Sequence, residues 1–275
     1  MADVFRPYIA VLAARFQLML QYRAAALAGF ATQCWFGVIR ILVFAAFYAG
    51  GAAGQPLSLR DAVTYTWLGQ AFLAFLPWNA DPDVADMVRT GAVAYERLRP
   101  VDTYAWWYAR ALAWSTARVL PRAALMVAFA SVLLPLAGLG KWGLPPPPTW
   151  SAAGLFALSA AGMILLSAAL TVILNVIMAA SMSDRGANTL AAPFVNLFSG
   201  MIIPLAFFPD TLRPFLRAQP LAGLVDIPFS IYFAGLTGTD ALGAIALQFL
   251  WVVVLVLLGR WWLGAVMGRL QIQGG

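Results

Sequence analysis

Side-chain chemistry needs groups that take up, release or share protons, and this chain carries a narrow set of them. Its 275 residues hold 17 Lys plus Arg, 11 Asp plus Glu, a single cysteine and no histidine. An imidazole base, a disulfide and any His- or Cys-built metal site are therefore excluded. Cys34 lies in an apolar run and reads as a small packed hydrophobe. No G-x-x-x-x-G-K-[ST] stretch occurs, so a phosphate loop for ATP is absent as well. The acids fall in the N-terminal segment, between apolar runs or in a broken stretch at 209–234. Carboxylates embedded in the membrane, which ion-coupled transport or intramembrane acid–base catalysis would use, are not evident. No catalytic residue and no metal ligand are expected, and the chain is not expected to be an enzyme.

The most informative spacing is NADPDVADMVRTG at 79–91. Asp81 suits a helix cap, Pro82 its first position and Gly91 its end. Val84, Met87 and Val88 fall at i, i+3 and i+4 and make one apolar face. Asp83 and Asp86 sit early and Arg89 late, as the helix dipole prefers. A helix of two to three turns is not stable alone. Its apolar face needs a partner, either the chain's own inner surface or a second protein.

The elements around this segment follow from composition. Hydrophobic residues make up 63% and charged residues 10% of the chain, with a mean hydropathy of +0.82. Soluble domains hold about 25% charged residues, so bilayer-spanning helices are the expected use of this surface. Apolar stretches at 24–49, 62–78, 115–139, 152–180, 189–208 and 242–262 predict six transmembrane helices. Arg6, Arg15 and Arg23 are spread ahead of the first stretch, which is too long for the core of a cleavable signal peptide. An amphipathic helix at 7–21, with Tyr8, Ile9, Leu12, Phe16, Met19 and Leu20 on one side, is predicted to lie along the membrane surface. Four prolines in a row, Pro145 to Pro148, predict a stiff extended connector.

Orientation follows from the basic residues. With both termini inside, twelve arginines fall on the inner side (6, 15, 23, 89, 97, 99, 110, 118, 122, 185, 260 and 269). Arg60, Lys141, Arg213 and Arg217 fall outside. The bias gives cytoplasmic N- and C-termini. The charges lie between apolar runs rather than in a patch, so nucleic acid is not an expected partner.

Within the spans, Arg40 either lines a translocation path or snorkels to the outer headgroups. Asn175, Asn196 and Ser199 suit interhelical hydrogen bonds or a polar lining. Tyr65, Phe72 and Phe75 share a helical face able to meet an apolar or cationic substrate. Trp78, Trp106, Trp107, Trp261 and Trp262 are expected in the interfacial belt.

Two stretches carry a resemblance. Gly91 followed by Leu98, Arg99 and Pro100 looks like the second cytoplasmic loop of permease subunits of type-2 ATP-binding-cassette (ABC) exporters, in one bacterial branch. Phe198-Ser199-Gly200-Met201-Ile202-Ile203-Pro204, with Pro209 beyond it, is similar to that family's fifth span. The three prolines Pro214, Pro220 and Pro228 in 209–234 resemble its broken external segment, a re-entrant pair of half-helices.

The resemblance implies an all-α integral membrane protein, a single permease domain over 1–275 in a bacterial inner membrane. It implies that the loop helix at 81–91 is a coupling helix, with Asp83, Val84, Met87, Val88 and Arg89 docking on an ABC ATPase subunit, two copies per transporter. ATP and Mg would be bound by that partner, with no cofactor in this chain. It further implies a second permease, the same or a related chain, and places Arg40, Asn196 and Ser199 as candidates for the substrate path, to which the aromatic face adds Phe72. The family handles drugs, peptides, lipids and polysaccharide precursors. The main rival is a secondary transporter driven by an ion gradient.

Overall fold

A computed structural model describes residues 2–21, 23–51, 54–96, 100–181 and 185–269. Among them there is no strand. Twelve α-helices follow one another: α1 (Ala2–Gln21), α2 (Arg23–Ala49), α3 (Leu59–Phe72), α4 (Pro82–Arg89), α5 (Val93–Glu96), α6 (Thr103–Ala128), α7 (Leu134–Leu136), α8 (Trp150–Ser181), α9 (Arg185–Phe198), α10 (Arg213–Ala218), α11 (Asp226–Tyr232) and α12 (Gly238–Arg269). A π-helical turn, Phe129–Leu133, joins α6 to α7 just ahead of Pro135, so Thr103–Leu136 is one rod.

Among the described residues, four helices are long and apolar enough to cross a membrane: Ala26–Ala49, Thr103–Leu136, Trp150–Ser181 and Gly238–Gly268. The chain is thus an all-helical protein of membrane type. α8 is the central post, 61% buried over its most apolar window, whereas α2 is 17% buried and lies at the periphery. α12 and α6 pack along α8, α3 lies between α2 and α6, and α1 lies against α6. The main core gathers Trp67 and Leu68 of α3, Met126 of α6, Leu166 of α8 and Phe229 of α11. α2 turns Trp35, Phe36, Leu42 and Val43 outward, as a lipid-facing or partner-facing helix would.

The structure departs from the sequence reading at three of the six stretches. The third begins at Thr103, not at 115, because the Asp102 carboxylate caps it by accepting from the Ala105 amide at 2.8 Å. Trp107, expected at the interface, is 0% exposed in consequence. Arg118 and Arg122, counted to the inner side, stand well inside the rod. The stretch at 62–78 is helical only through Phe72, then runs on as a 3-10 turn, Leu73–Phe75. The stretch at 189–208 is helical only to Phe198 and resumes as a 3-10 turn at Leu205–Phe207. At 1.5 Å per residue, α3 and α9 each reach ~21 Å, short of a ~30 Å hydrocarbon core. The N-terminal helix starts at Ala2 rather than 7; the side chains of Phe16, Met19 and Leu20, part of its expected apolar side, lie outside the described residues.

Candidate functional site

The segment 79–91 folds as its local chemistry directs. The Asp81 carboxylate accepts the Asp83 amide at 2.9 Å, Pro82 takes the first helical position, and the Thr90 amide closes the last turn on the Asp86 carbonyl. Gly91 follows at φ +73°, the left-handed conformation that ends many helices. Pro100 is described, but Leu98 and Arg99 of the Leu-Arg-Pro ending lie outside the described residues, as do Arg97 and the side chains of Arg23, Arg185 and Arg269.

Tertiary packing decides what the helix faces. Val84 and Val88 are 0% and 2% exposed. They join a cluster with Trp107 and Ala111 of α6, Val172 and Val176 of α8 and Leu263 of α12. Of the two partners left open for the apolar face, the chain's own bundle takes these two residues. Met87 lies half-buried at the rim of that cluster, and Asp83, Asp86 and Arg89 face outward. The Asp86–Arg89 pair at 3.2 Å is solvent-exposed on both sides and contributes little to stability.

Four elements hold the base of α4. The buried Asp81 amide donates to Asn175 Oδ1 of α8 at 2.8 Å, and the Ala80 amide donates to Asn188 Oδ1 of α9 at 3.0 Å. Arg110 of α6 stands 3.2 Å from Asp83 and 3.6 Å from Asp81. Arg15 of α1 donates to Asp83 as well. The helix is thus a polar platform clamped on α1, α6, α8 and α9, and any tilt of it pulls on all four.

Three of the four path candidates meet around the break after α9. Gly200 adopts φ +87°, and its carbonyl accepts from the buried Tyr65 hydroxyl at 3.0 Å. The Ser199 hydroxyl accepts the Met201 amide at 3.2 Å, and its carbonyl accepts the Asp226 amide at 3.2 Å. The Asn196 side chain accepts from the Trp78 indole at 3.1 Å. Arg40 donates to the Ile202 carbonyl and lies 5.9 Å from the Phe44 ring centroid. It therefore satisfies a backbone carbonyl in the stretch just past the end of α9. Phe72 stands apart in an aromatic stack, 6.1 to 6.2 Å from Phe75, Phe156 and Phe229.

The broken segment has its own anchor. Asp226, 1% exposed, accepts from the Leu205 amide at 3.2 Å and from Arg217 Nε at 3.1 Å. Burial pushes its carboxyl up from the ordinary value, and Arg217 opposes that shift. Position in the chain put Asp81 and Asp226 among the loop acids; both are buried, a fact no local pattern signals. The Asn175–Asp81 contact spans 94 residues and was equally invisible. Among the described residues no three His, Cys, Asp or Glu side chains come together to hold a metal. Comparison with protein-family models, with curated proteins and with solved structures found no match.

Proposed function

We propose that the chain is the permease subunit of an ATP-driven exporter of the type-2 ABC kind, working as a dimer of permeases with two separate ATPase subunits. One observation carries the reading. Between α3 and α6 stands a short capped helix whose apolar side packs on α6, α8 and α12, whose base is anchored by polar contacts to α1, α6, α8 and α9, and which keeps Asp86 and Arg89 facing out. A helix so clamped converts a push from outside into movement of the bundle, because its packed neighbours shift as solid bodies rather than deforming. Asp83, Asp86, Met87 and Arg89 are the surface the partner meets, while Val84 and Val88 transmit the force inward.

In this reading α3 and α9 are two further spans, completed by the non-helical segments after Phe72 and Phe198. Irregular backbone at membrane depth is tolerated where protein covers it, and the Tyr65, Arg40 and Asp226 hydrogen bonds provide that cover. The α4 end of the bundle is cytoplasmic, with both termini on that side of a bacterial inner membrane. ATP and Mg belong to the partner. The exposed apolar faces of α2 and of Ile202 and Ile203 are left for lipid or for the second permease.

Affinity purification of the tagged chain from its native membranes, with mass spectrometry of what accompanies it, tests the reading. A stoichiometric phosphate-loop ATPase is expected, and its recovery should fall at least fivefold when Asp86→Lys and Arg89→Glu are combined. Recovery of the intact, folded chain alone would favour a transporter driven by an ion gradient.

A further inference from the structure

Arg118 and Arg122 stand one helical turn apart on α6, facing the interior of the bundle. They line a cavity of about 120 Å³ together with Gln33 of α2, Trp114 of α6, and Ser167 and Thr171 of α8. Since a water needs roughly 10–15 Å³ measured this way, the space suffices for several waters or one small anionic group. Its position follows from helix geometry. At ~1.5 Å per residue, Arg118 lies ~22 Å from Thr103, and Thr171 and Ser167 lie ~15–21 Å from Ser181. Thr171 stands one turn from Asn175, and Asn79 also lines the cavity, so it sits just behind the base of α4.

Both arginines are placed with care. Arg118 donates to the Ala74 carbonyl at 2.8 Å, in the 3-10 turn after α3. Its guanidinium lies 3.7 Å from the centroid of the Trp114 ring. Among the described residues its buried Nε has no hydrogen-bond partner, nor has the side-chain oxygen of Gln33, a residue 6% exposed. Arg122 runs into a notch at Gly29 of α2, where a Cβ would stand 3.0 Å from its guanidinium carbon. Among the described residues no carboxylate lies within ion-pair distance of either. Asp81 is engaged with Arg110 at 3.6 Å.

Two like charges at i and i+4 repel, and the repulsion grows where water is scarce. Intramembrane arginines are rare, pair with acids or backbone carbonyls, and mark the paths of charged ligands. What this cavity lacks is an anion. Guanidinium forks match the two oxygens of a phosphate or carboxylate, and the Gln33 amide can turn its N–H2 group inward. Asn79 and Ser115 add polar groups to the lining, while Leu73, Phe75 and Leu76 give it an apolar side, which suits a molecule carrying hydrocarbon beside its charge.

We propose that this cavity binds the phosphate or carboxylate headgroup of an anionic amphiphile, with Arg118 and Arg122 as counter-charges and Trp114 holding Arg118 in place. The binding site stands on its own geometry; that the amphiphile is the exported cargo rests on the exporter reading above.

The full chain in a neutral detergent, stripped of native lipid, is titrated with short-chain phosphatidylglycerol and followed by native mass spectrometry. Short-chain phosphatidylcholine is the uncharged-headgroup control, and inorganic phosphate is the competitor. One phosphatidylglycerol per chain is expected, held at least tenfold more tightly than phosphatidylcholine. Arg122→Gln, which breaks no hydrogen bond described above, and Arg118→Lys, which keeps the charge but loses the fork, should each weaken it at least tenfold. Exposed Arg60→Gln should leave it unchanged. Displacement by inorganic phosphate at concentrations matching the lipid would keep the anion site but overturn the amphiphile. Equal binding of the two lipids, or wild-type affinity in monodisperse Arg122→Gln, would overturn the site itself. No ATPase enters this measurement, so a chain that binds through both arginines yet co-purifies with no ATPase loses only the exporter reading.

Discussion

Replacing Asn175 by leucine removes one acceptor from the base of α4 while keeping a side chain of similar size. Asn175 and Asp81 are each 1% exposed, and the Asp81 amide donates to Asn175 Oδ1 at 2.8 Å. In the variant that amide is left buried without an acceptor, which costs ~1–3 kcal/mol. The cost is borne by the folded arrangement of α4 on α8, since the other anchors of the helix stay intact. At tenfold per 1.4 kcal/mol it predicts a rise of ~5- to 150-fold in the opening constant of α4. Hydrogen exchange on the amides of residues 85–90 reads that constant directly, in detergent, on the purified chain. The α12 amides serve as the internal standard and should be unchanged. If α12 keeps its protection and the α4 amides exchange at the wild-type rate, the clamp does not hold the helix, and the platform that the functional proposal needs is not built as described.

Other outcomes follow from the broken segment. Gly200→Ala puts a Cβ 2.7 Å from the Tyr65 hydroxyl at a φ of +87°; a loss of ~1–3 kcal/mol is expected as a lower midpoint of thermal unfolding. Tyr65→Phe removes the atom that would clash, so the double variant should be less destabilised than the sum of the two single ones, and strict additivity would refute the packing at this turn. The carboxyl of Asp226 is raised in the folded chain, so protonation favours the fold. Its contribution to stability therefore falls as pH rises from the ordinary carboxylate value through the raised one. Arg217→Gln removes the cation that opposes this rise, so the carboxyl should move further up and the window widen. The variant should lose more stability at high pH than at low pH, by up to ~3 kcal/mol for a broken pair with a buried partner. Asp226→Asn added to it should abolish the difference, and a loss independent of pH would show that Arg217 acts by packing alone.

How much was legible in the sequence depended on how far each interaction reaches. The caps of α4 act within four residues, and Asp81, Pro82 and Gly91 stand where the pattern put them. The stop after Phe198 was also written locally, in Ser199, Gly200 and Pro204, although the apolar run concealed that the helix ends there. Hydropathy windows misplaced the start of α6, because Arg110, Trp106 and Trp107 look interfacial in one dimension. In the fold Arg110 is consumed by Asp81 and Asp83, and Trp107 is enclosed by α8 and α12.

Composition and the length of the apolar runs made this an all-helical membrane chain, since such runs are too long for barrel strands and lipid leaves the backbone to satisfy its own hydrogen bonds. Composition also removed imidazole and disulfide chemistry. Tertiary structure decided everything that depends on a partner distant in sequence. It chose the chain's own bundle for Val84 and Val88, joined Asn175 to Asp81, turned Arg40 to the Ile202 carbonyl, and buried Asp226 beside Arg217. It also left Arg118 and Arg122 facing inward without a carboxylate. A residue's type states what it can bind, but the free energy of a buried polar group depends on which groups surround it, and only the packed helices supply those.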